Sequence, residues 1–168
     1  TTSFGTYSNK PMDLLQENNI CFELNNKGRK LTTEEIILLL LKYNSVIAGT
    51  ELYSRSTLQQ LSQLKVISRL GVGVDNIDLD YAKKNGIQVY KTQTTPALAV
   101  SELVIGLILD ILRNINSHDL QLKSGVWNKQ MGTLLSGKTI GIIGLGSIGK
   151  QLVKMLNAFN LNFIANDI

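Results

Sequence analysis

The chain has 168 residues, seventeen Lys and Arg against thirteen Asp and Glu for a net charge of +4, with 43% hydrophobic and 18% charged residues. That composition supplies enough apolar material for a folded core, and the cations are scattered, which argues against a disordered chain and against a nucleic-acid partner. The one cysteine, Cys21, rules out an internal disulfide and fits a reducing compartment. The apolar runs at 36–41 and 103–109 fall short of the roughly 20 residues a membrane helix needs, and no leader peptide is read at the start, so a cytoplasmic location is expected.

Residues 1–5 read as the tail of a strand. Asn9 or Ser8 can cap a helix that has Pro11 near its first turn and Met12, Leu14 and Leu15 on its apolar face. Residues 20–24 read as a strand that buries Cys21 between Ile20 and Phe22. A loop follows at 25–29, and Lys27-Gly28-Arg29-Lys30, the one basic cluster, reads as solvated. Thr32, ahead of Glu34 and Glu35, marks a helix start leading into 36–41. The alternation then continues with a strand at 46–48, a helix at 56–61, a strand at 65–69, a helix at 79–84 and a strand at 87–90.

Strands separated by helices of this length imply a parallel sheet with helices on both faces. Residues 1–94 are therefore predicted to form a flavodoxin-like α/β unit. Ligands of such sheets bind beyond the carboxyl ends of the strands. Arg69-Leu70-Gly71-Val72-Gly73 lies at such an end, and Gly71 and Gly73 can present backbone N–H groups to an anion.

Residues 92–96 read as a polar hinge with a proline. The segment ALAVSELVIGLILDILR that follows, from Ala97 to Arg113, is apolar nearly all round, as expected of a helix buried between layers or between subunits. A second helix and turn are expected at 120–127. His118, the single histidine, reads as an exposed helix-surface residue, and no Cys/His cluster has metal-ligand spacing.

The most informative stretch lies at 139–167. A short apolar strand meets Gly144-Leu145-Gly146-Ser147-Ile148-Gly149, a helical pattern with Leu152, Val153, Leu156 and Phe159 on one face follows, and a second strand at 161–165 ends at Asp167. In a dinucleotide-binding βαβ unit Gly144 allows the tight turn, Gly146 lets a pyrophosphate approach the backbone, and Gly149 lets helix and strand pack closely. The N–H groups of Ser147 and Ile148 and the positive end of the helix dipole face the phosphates. Asp167 lies about 20 residues beyond the glycines, where a carboxylate can accept hydrogen bonds from ribose hydroxyls. An acid there repels a 2′-phosphate, which favours NAD over NADP.

The motifs Ile67-Ser68-Arg69-Leu70-Gly71-Val72-Gly73-Val74-Asp75-Asn76-Ile77-Asp78, Ala99-Val100-Ser101-Glu102-Leu103, Gly125-Val126-Trp127 and Gly137-Lys138-Thr139-Ile140-Gly141-Ile142-Ile143-Gly144-Leu145-Gly146 occur in the order in which the chain resembles the D-isomer-specific 2-hydroxyacid dehydrogenases. Within them it is most like the phosphoglycerate-oxidising members. The resemblance implies a substrate domain over 1–94, the first half of a Rossmann NAD-binding domain over 95–168, and NAD-linked hydride transfer between a 2-hydroxy acid and its 2-keto acid. It implies cofactor contacts at Thr92, Val100, Ser147, Ile148 and Asp167, a substrate carboxylate on the backbone of Val72 and Gly73, and a substrate phosphate at Arg69, so 3-phosphoglycerate is the substrate expected.

Two positions depart from the pattern: Lys91-Thr92-Gln93 replaces a usual Asn-Thr-Pro, and Ser147 stands where arginine is common. The resemblance implies that the arginine, and the histidine with its supporting glutamate, that perform the family's chemistry lie beyond Ile168, and His118 does not match that histidine. These residues alone are therefore expected to be inactive, and a homodimer through the helix from Ala97 is implied. The competing expectations are a naturally short, non-catalytic nucleotide-binding or dimerisation module, and another 2-hydroxyacid dehydrogenase of the same family.

Overall fold

The computed structural model describes residues 4–168, which divide into two compact units, one ending at Thr94 and one beginning at Thr95. The strand tail expected at 1–5 lies mostly outside the described residues, and Phe4 and Gly5 belong to a turn.

The first unit opens with α1 (Lys10–Glu17). Asn9 occupies the cap position, but its side chain makes no capping bond, and the Ser8 hydroxyl accepts from the Lys10 N–H at 3.3 Å instead. The expected strand at 20–24 does not form. A strand needs a neighbour to share its backbone hydrogen bonds, and among the described residues no backbone acceptor receives an N–H from Cys21, Phe22, Glu23 or Leu24. The segment instead borders a cavity of about 470 Å³ that Val46 also lines. Cys21, expected buried, is exposed as a consequence.

Helix α2 (Thr33–Leu40) starts where the sequence places it. The Thr32 hydroxyl accepts from the Glu35 N–H, and the Glu35 carboxylate accepts from the Thr32 N–H. Lys27 and Arg29 are exposed as expected, and both pair with Glu35, at 2.6 and 2.7 Å.

Strands β1 (Ser45–Ala48), β2 (Val66–Arg69) and β3 (Gln88–Lys91) form a parallel sheet in that order, linked by α3 (Arg55–Gln59) and α4 (Leu79–Lys84). Caps fix both helices: Ser54 accepts from the Thr57 N–H, and Asp78 from the Tyr81 N–H at 2.8 Å. Ile36, Leu40, Leu58, Leu61, Leu64, Ile67, Ile77 and Ile87 close the core over the sheet. Burying a side chain of this size stabilises by about 1.5–3 kcal/mol.

The second unit begins with α5 (Ala97–Arg113), ended by Asn114 in the left-handed conformation at φ +55°. The Asp110 carboxylate then accepts from the Asn116 N–H at 2.7 Å, so α6 (Ile115–Lys123) starts five residues before the helix expected at 120–127.

Strands β4 (Thr139–Ile143) and β5 (Asn162–Asn166) pair in parallel across α7 (Ser147–Leu156) and a 3₁₀ turn at Asn157–Phe159. Helix α5 packs on α7, with Val104, Ile105, Ile108 and Leu112 against Leu152 and Leu156. It is not buried all round. Leu103, Leu107 and Ile111, four residues apart and so on one line of the helix, are 63%, 51% and 75% exposed, and Ser101 is its one fully buried residue.

Candidate functional site

The glycine turn sits where β4 hands over to α7. Gly144 has φ +91°, a conformation that L side chains rarely adopt, and a methyl group on Gly149 would collide with the Gly144 carbonyl oxygen. These two glycines are required by the protein's own backbone. Gly146 is different: a Cβ there would meet nothing within 4 Å, which leaves open space above the turn.

The first intrahelical bond of α7 runs from the Lys150 N–H to the Gly146 carbonyl at 2.9 Å. Among the described residues, the N–H groups of Ser147 and Ile148 therefore have no backbone acceptor. Unpaired donors at a helix start, with the dipole behind them, form an anion site. The geometry fits a pyrophosphate: an open cradle at Gly146, two free donors and no acidic side chain in the first turn of α7.

Parallel pairing brings the expected acid to the same place. The Gly144 N–H donates to the Asn166 carbonyl at 2.8 Å, and Asp167 is the next residue. Its carboxylate is exposed and, among the described residues, accepts a hydrogen bond only from the following Ile168 N–H at 3.0 Å. Val100, half-buried in the first turn of α5, lies near the same end of the unit, because the Thr95 hydroxyl just before α5 donates to Ser147 Oγ at 3.2 Å. Thr95 was not singled out by the sequence motifs, and a contact 52 residues apart leaves no local signal.

The first unit carries its own loop cluster at the carboxyl end of the sheet. β2 ends at Arg69, and Gly71, Val72 and Gly73 follow in a turn that needs glycine at Gly71, where φ is +150°. Gly71 cannot offer its N–H to an anion as expected, because that group already donates to the Arg69 carbonyl at 2.9 Å and to Thr92 Oγ1 at 3.0 Å. Val72 and Gly73 remain, with no backbone acceptor among the described residues. The Arg69 guanidinium folds back to donate to the Leu70 carbonyl and covers Gly71, and its Nε is buried without a partner.

Two residues missed at the sequence level hold this loop in place. The Asn76 amide donates to the Gly49 and Glu51 carbonyls at 3.2 and 2.6 Å, and the buried Glu51 carboxylate accepts from the Gly49 N–H at 2.9 Å. Burial, with Glu51 beside it, pushes the Tyr53 phenol well above its ordinary range. His118 is half-buried rather than exposed, and its Nε2 accepts from the Gln130 N–H at 3.1 Å. Among the described residues no cluster of His, Cys, Asp and Glu could hold a metal, and no helix is long and apolar enough to cross a membrane.

Comparison with known proteins agrees with these elements. The family described as D-isomer specific 2-hydroxyacid dehydrogenase, catalytic domain, matches residues 3–163. The chain is 40% identical over 141 residues to a D-3-phosphoglycerate dehydrogenase of Methanocaldococcus jannaschii, covering 82% of this chain and 27% of that protein. It is 44% identical over 106 residues to a hydroxypyruvate reductase of Thermotoga maritima, covering 62% and 35%. It thus spans about a third or less of the length of these relatives. The crystal structure of a Staphylococcus aureus NAD-dependent formate dehydrogenase in complex with NAD superposes with a TM-score of 0.79 at 25% identity, over 94% of this chain and 49% of that one. With a family match over nearly its whole length and the parallel α/β architecture to go with it, the chain belongs to the D-isomer-specific 2-hydroxyacid dehydrogenases.

Proposed function

We propose that these residues supply the substrate domain (1–94) and the first half of the NAD-binding domain (95–168) of a D-3-phosphoglycerate dehydrogenase. It would oxidise 3-phosphoglycerate to 3-phosphohydroxypyruvate in the cytoplasm, at the entry to serine biosynthesis. The carrying observation is the glycine turn, open above Gly146 and with Asp167 beside Gly144. Gly144, Gly146 and Gly149 shape the turn, the Ser147 and Ile148 N–H groups take the pyrophosphate, and Asp167 takes the adenosine ribose, with Thr92 and Val100 as further cofactor contacts. NAD held there would supply the hydride acceptor for oxidation of the 2-hydroxy acid.

The residues of the first unit do the binding. The N–H groups of Val72 and Gly73 hold the carboxylate, which fixes the C2 carbon relative to the loop. Arg69 meets the phosphate once its guanidinium swings away from the Leu70 carbonyl. No proton-transfer step is assigned to this chain, since its single histidine has Nε2 engaged by Gln130. Turnover by the 168 residues alone is therefore expected to be absent, while the full protein should reduce NAD with 3-phosphoglycerate.

The identity to a hydroxypyruvate reductase favours one second reading, a family member that acts on an unphosphorylated acid. Arg69→Ala in the full protein decides between them. A selective rise in KM for phosphorylated substrates supports phosphoglycerate, and an equal effect on phosphorylated and unphosphorylated acids supports the second reading.

A further inference from the structure

Thr92 touches Gly71 at both of its backbone polar groups. The Gly71 N–H is shared between the Arg69 carbonyl at 2.9 Å, inside the loop, and Thr92 Oγ1 at 3.0 Å, outside it, and the Gly71 carbonyl accepts the Thr92 N–H at 3.1 Å. Thr92 comes 21 residues later, directly after β3, whereas Gly71 lies beyond the end of β2. The register that pairs Arg69 with Lys91 leaves Thr92 level with the start of the loop.

Before Gly71, Leu70 is held by Ala48 and the Arg69 guanidinium; after it, among the described residues, the loop is free of such ties. Val72 and Gly73 have no backbone acceptor among the described residues, and the Arg69 guanidinium covers Gly71 from one side. A left-handed glycine samples many conformations unless its neighbours hold it. A hydroxyl that accepts from Gly71 also withdraws that N–H from any incoming anion, so the carboxylate is directed to the next two donors. From this arrangement we infer that the Thr92 hydroxyl is a positioning residue, which fixes Gly71 so that the Val72 and Gly73 N–H groups converge on the substrate carboxylate. The inference rests on the reading of Val72 and Gly73 given above, and it gives Thr92 a role in substrate affinity separate from any contact with cofactor.

The test uses Thr92→Val and Thr92→Ser in the full protein. Valine keeps the shape and the backbone N–H but removes the acceptor; serine restores it. Amide exchange at Gly71 is measured without ligands, and KM and kcat for 3-phosphoglycerate at saturating NAD, so that a weakened cofactor contact does not enter. One lost neutral hydrogen bond corresponds to about a three- to tenfold change. The expected result is faster exchange at Gly71 in Thr92→Val, KM for 3-phosphoglycerate raised by that factor, and both restored in Thr92→Ser. Unchanged exchange at Gly71, or no recovery in Thr92→Ser, overturns the positioning role. Faster exchange with KM unchanged overturns it as well, and shows that the loop is clamped but carries no carboxylate. Gly73→Pro, which removes the second donor, separates the two failures: a raised KM in that variant leaves the Val72 and Gly73 reading standing when Thr92 fails.

Discussion

Gly149 packs against Gly144 so closely that a methyl group on Gly149 would collide with the Gly144 carbonyl oxygen, whereas one on Gly146 would meet open space. The two glycines that flank the start of α7 thus answer to different demands. Gly149→Ala should destabilise the second unit by about 1–3 kcal/mol, because a carbonyl oxygen cannot yield as a flexible side chain would. Gly146→Ala should change stability by less than about 1 kcal/mol, since φ −69° suits alanine and the main loss is at the cap. If Gly146 serves the pyrophosphate, the same variant should nevertheless lose NAD binding. Denaturant unfolding and calorimetric titration of both variants check the contrast.

Among the described residues the Asp167 carboxylate has no partner beyond the neighbouring Ile168 N–H, so it is available to a ligand. Hydrogen bonds to a charged group are worth more than neutral ones, and Asp167→Ala should weaken NAD about ten- to hundredfold. The loss for NADP should be smaller, because the same substitution relieves repulsion of a 2′-phosphate. Comparing the two cofactors on both proteins gives the answer directly.

A line of apolar side chains along α5, formed by Leu103, Leu107 and Ile111, faces away from α7. A homodimer through this helix is the assembly proposed for it. Leu107→Glu should then yield a monomer while moving stability by no more than about 0.5 kcal/mol, since the position is exposed within one chain. Light scattering at micromolar concentration distinguishes the two masses, and a monomeric parent chain would sink the proposal.

Glu35 gathers Arg29, Lys27 and the Thr32 N–H around one carboxylate, with the Arg29 bonds contributing most, and is held well below the usual carboxylate range. A depressed folded value means that the stabilisation is present above the unfolded value and is lost as pH falls. The thermal midpoint should therefore decline on acidification below about pH 4.3, where a glutamate in the unfolded chain takes up its proton. Glu35→Gln should lower the midpoint at pH 7 and flatten that decline.

Elements with their own local signal were legible in the sequence. Helix α4 spans Leu79–Lys84 as expected because Asp78 caps it, and α2 starts at Thr33 because Thr32 and Glu35 satisfy each other. The glycine turn and Asp167 were legible for the same reason, their spacing being set within one βαβ unit. Features that depend on a distant partner were not. The alternation at 20–24 says nothing of whether a neighbouring strand exists, and the composition of α5 cannot tell which face is covered. Gly71 looked like a free donor because its acceptor, Thr92, is 21 residues away. Helix α6 starts early because Asp110, in the preceding helix, caps it.

In every pair of adjacent strands the partners follow at a nearly constant interval. Ser45 aligns with Val66, Val66 with Gln88 and Thr139 with Asn162, offsets of 21, 22 and 23 residues. Among the described residues, each of these pairs closes across a single intervening helical segment. As the nascent chain leaves the ribosome, β2 can dock on β1 as soon as it emerges and β3 on β2 after one more helix, so the first sheet can assemble in the order of its synthesis. Loop closures this short keep the entropic barrier to each pairing low and limit how long a bare strand edge is presented to other nascent chains.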